Sequence, residues 1–337
     1  MRKLASIRRI ESIRPIEGAD MIEAVQVGLW ICVAKKGEFQ AGDLAVYFEI
    51  DSFLPGADER FKFLEKDFRT FEGKVGARLK TKKMRGQISQ GLALPLSSFP
   101  ELSDFKEEDD VGEVLGVVKW EPQIPATLYG QAKGNFPAFI KKTDQERLQN
   151  IWRNYERWME EDEYWEITKK IDGSSMTVYT RDEDSGVCSR NIDLKESEDN
   201  SFWNTCRTYN ILSSLKELKR NLALQGEMYG PGIQGNSEKV STLKFALFDI
   251  WDIDRSCYLG VNDRDGILFQ LRNLGYSALS VPRKMVTKLS KFPTFESIQK
   301  AMDEDPDTYE GWVFKRVDGQ ESFKVISNKY LLKHGDR

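Results

Sequence analysis

The sequence predicts an α+β chain in two parts, with an all-β module first and a domain of mixed helices and strands after it. Three observations carry that reading. Short apolar-alternating runs separated by glycines fill the stretch up to about Lys119, and a segment marked by prolines and glycines, without periodicity, follows it. Beyond that segment, runs of helical period alternate with strand patterns. The division falls at residues 1–120, a linker 121–142 and a second domain 143–337. Each part is long enough to bury a core without disulfides or metals.

In the first module, Val25, Val27, Leu29, Ile31 and Val33 alternate with their neighbours and predict one strand. Gly42-Asp43 introduces a second apolar run from Leu44 to Ile50. Leu79 and Leu92-Ala93-Leu94 mark further strands, with Gly28, Gly37, Gly73, Gly76, Gly86 and Gly91 at the bends. Short strands with glycine corners suit a small barrel. The run Arg78-Leu79-Lys80-Thr81-Lys82-Lys83-Met84-Arg85-Gly86 sets Arg78, Lys80 and Lys82 on one side of a strand, and Lys83 and Arg85 extend the charge into the next turn. Such a strip suits nucleic-acid backbone, and equally a charged edge strand that discourages aggregation.

An acidic run from Ser103 to Glu113 precedes the linker, where Pro122, Pro125, Gly130, Gly134 and Pro137 interrupt any period. Thr143-Asp144-Gln145-Glu146 then reads as a capping box. It opens a helix on which Leu148, Ile151, Trp152, Tyr155 and Trp158 form a stripe better suited to core than to ligand. Lys141 and Arg147 lie near that helix start, where amides attract anions, and are candidate phosphate contacts. A second helix is expected from about Tyr209 to Leu222. Strands follow at Lys244 to Ile250 and Gly311 to Lys315, with short helices near Ile267 to Leu274 and Phe295 to Met302.

Composition narrows the chemistry. The four cysteines, Cys32, Cys188, Cys206 and Cys257, have no Cys-x-x-Cys spacing, which argues against a zinc site or disulfide framework and for a reducing compartment. His334 is the single histidine, so triads and histidine acid–base catalysis are all but excluded and Lys, Asp and Glu remain. The net charge of -4 supplies no global field for a polyanion, so nucleic acid must be held by local patches. The basic N-terminus precedes no apolar run, and no stretch reaches the length of a bilayer span. A soluble intracellular protein, without a membrane partner and monomeric, is expected.

The chemistry centres on Lys170. Trp165, Ile167 and Lys169 alternate with Glu166, Thr168 and Lys170, and Met176 and Val178 alternate again after Gly173, so two strands flank a tight turn at Asp172-Gly173. A lysine amine is a poor nucleophile while its pKa is near about 10.4, and burial or neighbouring positive charge lowers it. That depression is expected of Lys170. Four letters, Lys-x-Asp-Gly, carry little alone, since an exposed lysine beside a turn is the commoner source of such a match.

More motifs follow in order. The sequence continues with Arg190 in Cys188-Ser189-Arg190-Asn191, then Gln225-Gly226-Glu227-Met228-Tyr229-Gly230-Pro231-Gly232-Ile233-Gln234-Gly235. Lys244-Phe245-Ala246-Leu247-Phe248-Asp249-Ile250, Glu310-Gly311-Trp312-Val313-Phe314-Lys315 and Phe323-Lys324-Val325 complete the set. With Lys170-Ile171-Asp172-Gly173, these resemble the five motifs of the covalent nucleotidyltransferases: RNA ligases, DNA ligases and mRNA capping enzymes. In the first module, Pro15-Ile16-Glu17-Gly18-Ala19-Asp20, Gly42-Asp43 and Tyr47-Phe48-Glu49-Ile50-Asp51 resemble the start of OB-type barrels of tRNA-binding domains. A barrel ahead of the nucleophile, together with Gly-Glu-x-x-Gly-Pro-Gly-Ile-Gln, is similar to the ATP-dependent RNA ligases of the Rnl2-like group and, within it, the Rnl5 clade of Deinococcus and Naegleria type.

The resemblance implies an N-terminal OB domain followed by an α+β, ATP-grasp-like adenylylation domain. It implies ATP as AMP donor, Mg2+ or Mn2+, and RNA with 3′-OH and 5′-PO4 ends, such as nicks in duplex RNA under repair. By the same resemblance Lys170 accepts AMP, Lys324 meets the α-phosphate, and Asp172, Glu227 and Glu310 hold the metal. Lys169, Ile171, Gly173, Arg190, Phe248 and Lys329 line the nucleotide, with Phe248 on the base. One position departs from the pattern: the second lysine of the fifth motif is Ile326 here, leaving Lys324, Lys329 and Lys333 as alternatives for a second phosphate contact. The rivals are a capping guanylyltransferase or DNA ligase, which resemble one another in placing an OB domain after the fifth motif, and a non-catalytic OB-fold RNA-binding protein. Lys170, Glu227, Glu310 and Lys324 are all intact, which speaks against decay.

Overall fold

The computed structural model describes residues 2–121 and 130–335. Its contacts divide the chain into two units, Met1–Gln123 with Asn328–Arg337, and Ile124–Ser327. The C-terminal segment, assigned above to the second domain, therefore groups with the first. Pro122 and Pro125 of the linker lie outside the described residues. Among those described, no helix is long and apolar enough to cross a membrane.

The first unit is built on the strand Leu44–Phe48, flanked by Ala5–Arg9 and Leu92–Pro95. Its period of two feeds two cores. Val46 and Phe48 pack with Ile7, Leu54 and Phe61, while Ala45 and Tyr47 pack with Val25, Trp30 and Cys32. That is why this run reads as continuously apolar. The alternation from Val25 to Val33 is not one strand: Ile22–Val27 and Trp30–Lys35 form a hairpin, turned at Gly28 with φ +58, and burial shifts phase to Trp30, Cys32 and Ala34. Ser52–Pro55, Lys74–Arg78, Phe68–Phe71 and Val118–Lys119 form a further sheet, and Lys82–Met84 pairs with Gln87–Ser89.

The basic run is split by this architecture. Arg78 ends a strand and is buried, its guanidinium 2.6 Å from Asp51 and 3.9 Å above the Trp120 ring. It is a core ion pair with cation–π packing rather than part of a nucleic-acid face. Lys82, Lys83 and Arg85 are exposed on the following hairpin, with Lys82 paired to Asp67. Lys80 sits between the two, half-buried.

The second unit holds two sheets. One runs Ala132–Asn135, Ile192–Leu194, Asp184–Cys188, Ser174–Arg181, Leu222–Tyr229, Lys244–Asp252 and Cys257–Tyr258, with Leu279–Ser280 joined to Lys244–Asp252. The other runs Arg283–Lys288, Tyr164–Lys170, Gly311–Arg316 and Ser322–Ile326. Helices Ser201–Thr208, Ile211–Leu218 and Val261–Asn273 cover the first sheet through Phe202, Leu215, Ile267 and Leu271. The helix Trp152–Glu160 packs Tyr155 and Trp158 against Phe323 of the second sheet, so the aromatic stripe is core.

Three expectations change. The helix begins at Trp152 with no capping box at Thr143, because Glu146 and Arg147 run extended beside Lys324. The segment Tyr209 to Leu222 is not one helix: Asn210 and Lys219 adopt left-handed φ of 52° and 53°, bounding Ile211–Leu218, and Leu222 opens a strand. Finally, Tyr164–Lys170 and Ser174–Arg181 are not arms of a hairpin. They belong to different sheets, and Ile171–Gly173 is the step between them.

Candidate active site

That step creates the site. Lys170 ends its strand opposite Gly311, so Glu310 stands beside it, with Oε2 2.8 Å from Nζ. Ser175, at the start of the next strand, stands opposite Glu227. A Cβ on Gly173 would lie 2.5 Å from the Met228 carbonyl and 2.7 Å from Glu227 Cγ, so only glycine lets the crossing pass this close. Lys324 lies opposite Val313 on the strand beyond. Its amide donates to the Glu146 carbonyl at 2.8 Å, and Arg147 bridges to it in parallel. Lys170, Asp172, Glu227, Glu310, Lys324 and Arg147 are thus brought together.

Electrostatics in this group run against one expectation. Burial pulls Lys170 down, but Glu310, Glu227 and Asp172 pull it up further, and its pKa ends above the ordinary lysine value. Three acids facing one lysine keep it an ammonium in the protein alone. Lys324 is the depressed lysine, brought to about 8 by burial and then by Lys170 and Arg147. Loss of water pushes the Glu227 carboxyl up to about 8, with Glu310 and Asp172 adding to the push and Lys170 opposing it. Burial, more than any shortage of cations, thus leaves Glu227 and Lys324 ill-suited to their charged forms.

Among the described residues, no three His, Cys, Asp or Glu side chains stand close enough to ligate one ion directly. A hydrated magnesium ion, which keeps several of its waters, fits the looser spread of Asp172, Glu227 and Glu310. The buried Glu227 carboxyl, raised by loss of water, is what such a cation would satisfy.

The remaining expected residues divide. Arg190 is exposed and pairs with Asp144 at 2.8 Å, and its charge reaches Glu227. Lys169 pairs with Glu238 at 2.6 Å, in the glycine-rich loop whose Ser237 hydroxyl donates to the Asp172 carbonyl at 3.4 Å. Ile171 is buried with Tyr229 and Ala246. Lys141 lies over the Tyr258 ring at 5.6 Å rather than in the Lys170 group. Lys329 is on the helix Asn328–His334, which groups with the first unit.

Phe248 is the extra residue of a β-bulge, since Gln225 pairs with Asp249 and Gly226 with Leu247. Its carbonyl, out of the ladder, accepts from Lys315 Nζ at 2.7 Å and Arg264 Nη1 at 3.4 Å. Lys315 also pairs with Asp249 at 2.7 Å, and its pKa is lowered by burial against that pairing. Arg264 and Arg283 clamp the buried Glu166, each at 2.6 Å. Lys315, Asp249, Arg264, Glu166 and Glu238 carry no flag in the sequence reading. Lys315 and Asp249 lie within its motifs, where a charged residue on a buried strand is the available signal; the others offer none.

Comparison with known proteins agrees with this architecture. An OB-fold domain profile matches residues 4–96, and the RNA ligase family profile matches residues 163–330. The curated proteins give no match. Among solved structures, a variant of Naegleria gruberi RNA ligase with ATP and Mn is 47% identical over 98% of this chain and 99% of that one, at a TM-score of 0.88. The Naegleria gruberi RNA ligase with PPi is 47% identical over 99% of each chain at 0.87, and a further variant with AMP and Mn is 46% identical over 99% of each at 0.89. With the glycine-dependent crossing at Lys170 and this likeness along nearly its whole length, the chain belongs to the RNA ligase family.

Proposed function

We propose that the protein is an ATP-dependent ligase that joins 3′-hydroxyl to 5′-phosphate RNA ends, nicks in duplex RNA in particular, through AMP carried on Lys170. The observation that carries this reading is Lys170 at the crossing between sheets, 2.8 Å from Glu310 and faced by Glu227, Asp172 and Lys324. Binding of ATP and a divalent ion by the Naegleria gruberi enzyme supports it.

In the first step the Lys170 amine, having lost its proton, attacks the α-phosphorus of ATP. A P–N bond forms and pyrophosphate leaves. In the second, an oxygen of the RNA 5′-phosphate displaces the lysine, which recovers its proton, and an RNA-adenylate results. In the third, the 3′-hydroxyl attacks the 5′-phosphorus and AMP leaves. All three are in-line phosphoryl transfers, for which positioning and charge stabilisation suffice, so histidine is not needed. Lys324 and Arg147 stabilise charge on the α-phosphate, and Phe248 covers the base. Asp172, Glu227 and Glu310 would hold a hydrated Mg2+ or Mn2+, whose charge would offset the acids that keep Lys170 protonated. On the barrel, Lys80, Lys82, Lys83 and Arg85 are the backbone contacts of this reading, and RNA repair is its setting.

The test is incubation with radiolabelled ATP or GTP and magnesium, followed by mass spectrometry of the denatured protein. The expected result is AMP on the peptide containing Lys170, and sealing of a 5′-phosphate nick in duplex RNA. Preference for GTP, or label on another residue, overturns the assignment.

A further inference from the structure

The hairpin Lys82–Ser89 and the helix Asn328–His334 meet within the first unit. The helix packs on the strand Gln87–Ser89, and a Cβ on Gly335, just past the helix, would come 4.0 Å from the Thr81 carbonyl that precedes the hairpin. Tyr330 and Leu331 are buried, which fixes the inner side of the helix. Lys329 and Lys333, four residues apart and therefore on one face, are exposed together. The hairpin on which the helix packs presents Lys83, opposite Ile88, and Arg85, both exposed.

The hairpin turn fixes where Arg85 stands. Met84 and Gln87 close a two-residue turn in which Arg85 and Gly86 both have positive φ, +50° and +84°. Asparagine or glycine fills the first of these positions with the least steric strain. The turn, of the same form as Glu72-Gly73, sets Arg85 at the exposed tip of the hairpin.

We propose that Lys83, Arg85, Lys329 and Lys333 form one grip on the phosphate backbone of the RNA substrate. The lysines of the C-terminal helix then serve the RNA strand and not the α-phosphate of the nucleotide. The grip rests on the ligase reading above and deepens it, by adding the helix to the barrel's RNA surface.

The test uses the full chain. Lys329→Ala with Lys333→Ala, and separately Lys83→Ala with Arg85→Ala, are compared with wild type for binding of a nicked RNA duplex across a salt series and for labelling of Lys170 by ATP. Each pair is expected to weaken RNA binding about tenfold and to reduce the slope of log affinity against log salt by roughly two, with labelling at the wild-type rate. Lys329→Arg with Lys333→Arg should keep the wild-type slope, which separates charge from helix integrity. Loss of Lys170 labelling in the helix variant assigns those lysines to the nucleotide and overturns the proposal, as does an unchanged affinity and slope. Failure of the wild type to label at all refutes the ligase reading instead, a distinct result.

Discussion

Lys170 and Lys315 lie on neighbouring strands of one sheet, both against carboxylates, and their surroundings differ in one respect. Glu166 stands opposite Lys315 and Lys170 opposite Gly311, so the two lysines sit at opposite ends of one strand pair. Around Lys315 charges are matched: Asp249 for Lys315, and Glu166 and Asp265 for Arg264 and Arg283. Around Lys170, Glu310 pairs with it, but burial leaves Glu227 raised and Lys324 depressed, so neither is settled in its charged form. The matched cluster is finished as it stands and can hold the Phe248 bulge in place. The other is completed by what it binds.

The largest effect that distinguishes them is expected from Lys170→Ala. Labelling by ATP should fall below detection, while the denaturant midpoint shifts far less than for a break in the matched cluster. A variant that still labels would erase the distinction. Next in size is Glu166→Ala, which leaves Arg264 buried without its partner. It should lower stability by about 3–5 kcal/mol, read by denaturant unfolding. Desolvation would raise the Glu166 carboxyl, but Arg264 and Arg283 outweigh it and hold the pKa below its ordinary value. A carboxylate lowered in the fold stabilises above its unfolded value of about 4.3 and loses that stabilisation as pH falls through the folded one. Wild type should therefore show an acid-dependent loss below about pH 4.3 that Glu166→Gln largely lacks.

The smallest effect sharpens the comparison most. With Lys324 and Glu227 both near 8, an ATP analogue bound without metal should draw protons onto the site at pH 8, because a polyphosphate raises the pKa of each. Adding magnesium should reverse the sign at Glu227. Calorimetry in buffers of different ionisation enthalpy reads both, and proton uptake that is the same with and without the metal would remove Glu227 from the metal's surroundings.

What was legible in the sequence follows the same division. That Lys170, Glu227, Glu310 and Lys324 come together could be expected from the resemblance of their ordered motifs to the nucleotidyltransferases, whatever the backbone does between them. The crossing at Asp172-Gly173 could not, because alternation on both sides of a turn looks the same whether the strands pair or part into separate sheets. Arg78 was misread for a related reason: a run of cations does not say which member finds an acid, and Asp51 lies 27 residues upstream. Thr143 to Glu146 satisfies the letter pattern of a capping box, yet the backbone there is drawn to Lys324. Pairing across distance overrides local preference.

The grouping of Asn328–His334 with the first unit bears on how the protein is made. A ribosome delivers the barrel strands first, then all of Ile124–Ser327, and only afterwards the helix that packs on Gln87–Ser89. At about 5–20 residues per second that interval is roughly 10–40 seconds. During it the barrel strands stand with one flank uncovered, and packing on Gln87–Ser89 is complete only once the later-made helix arrives.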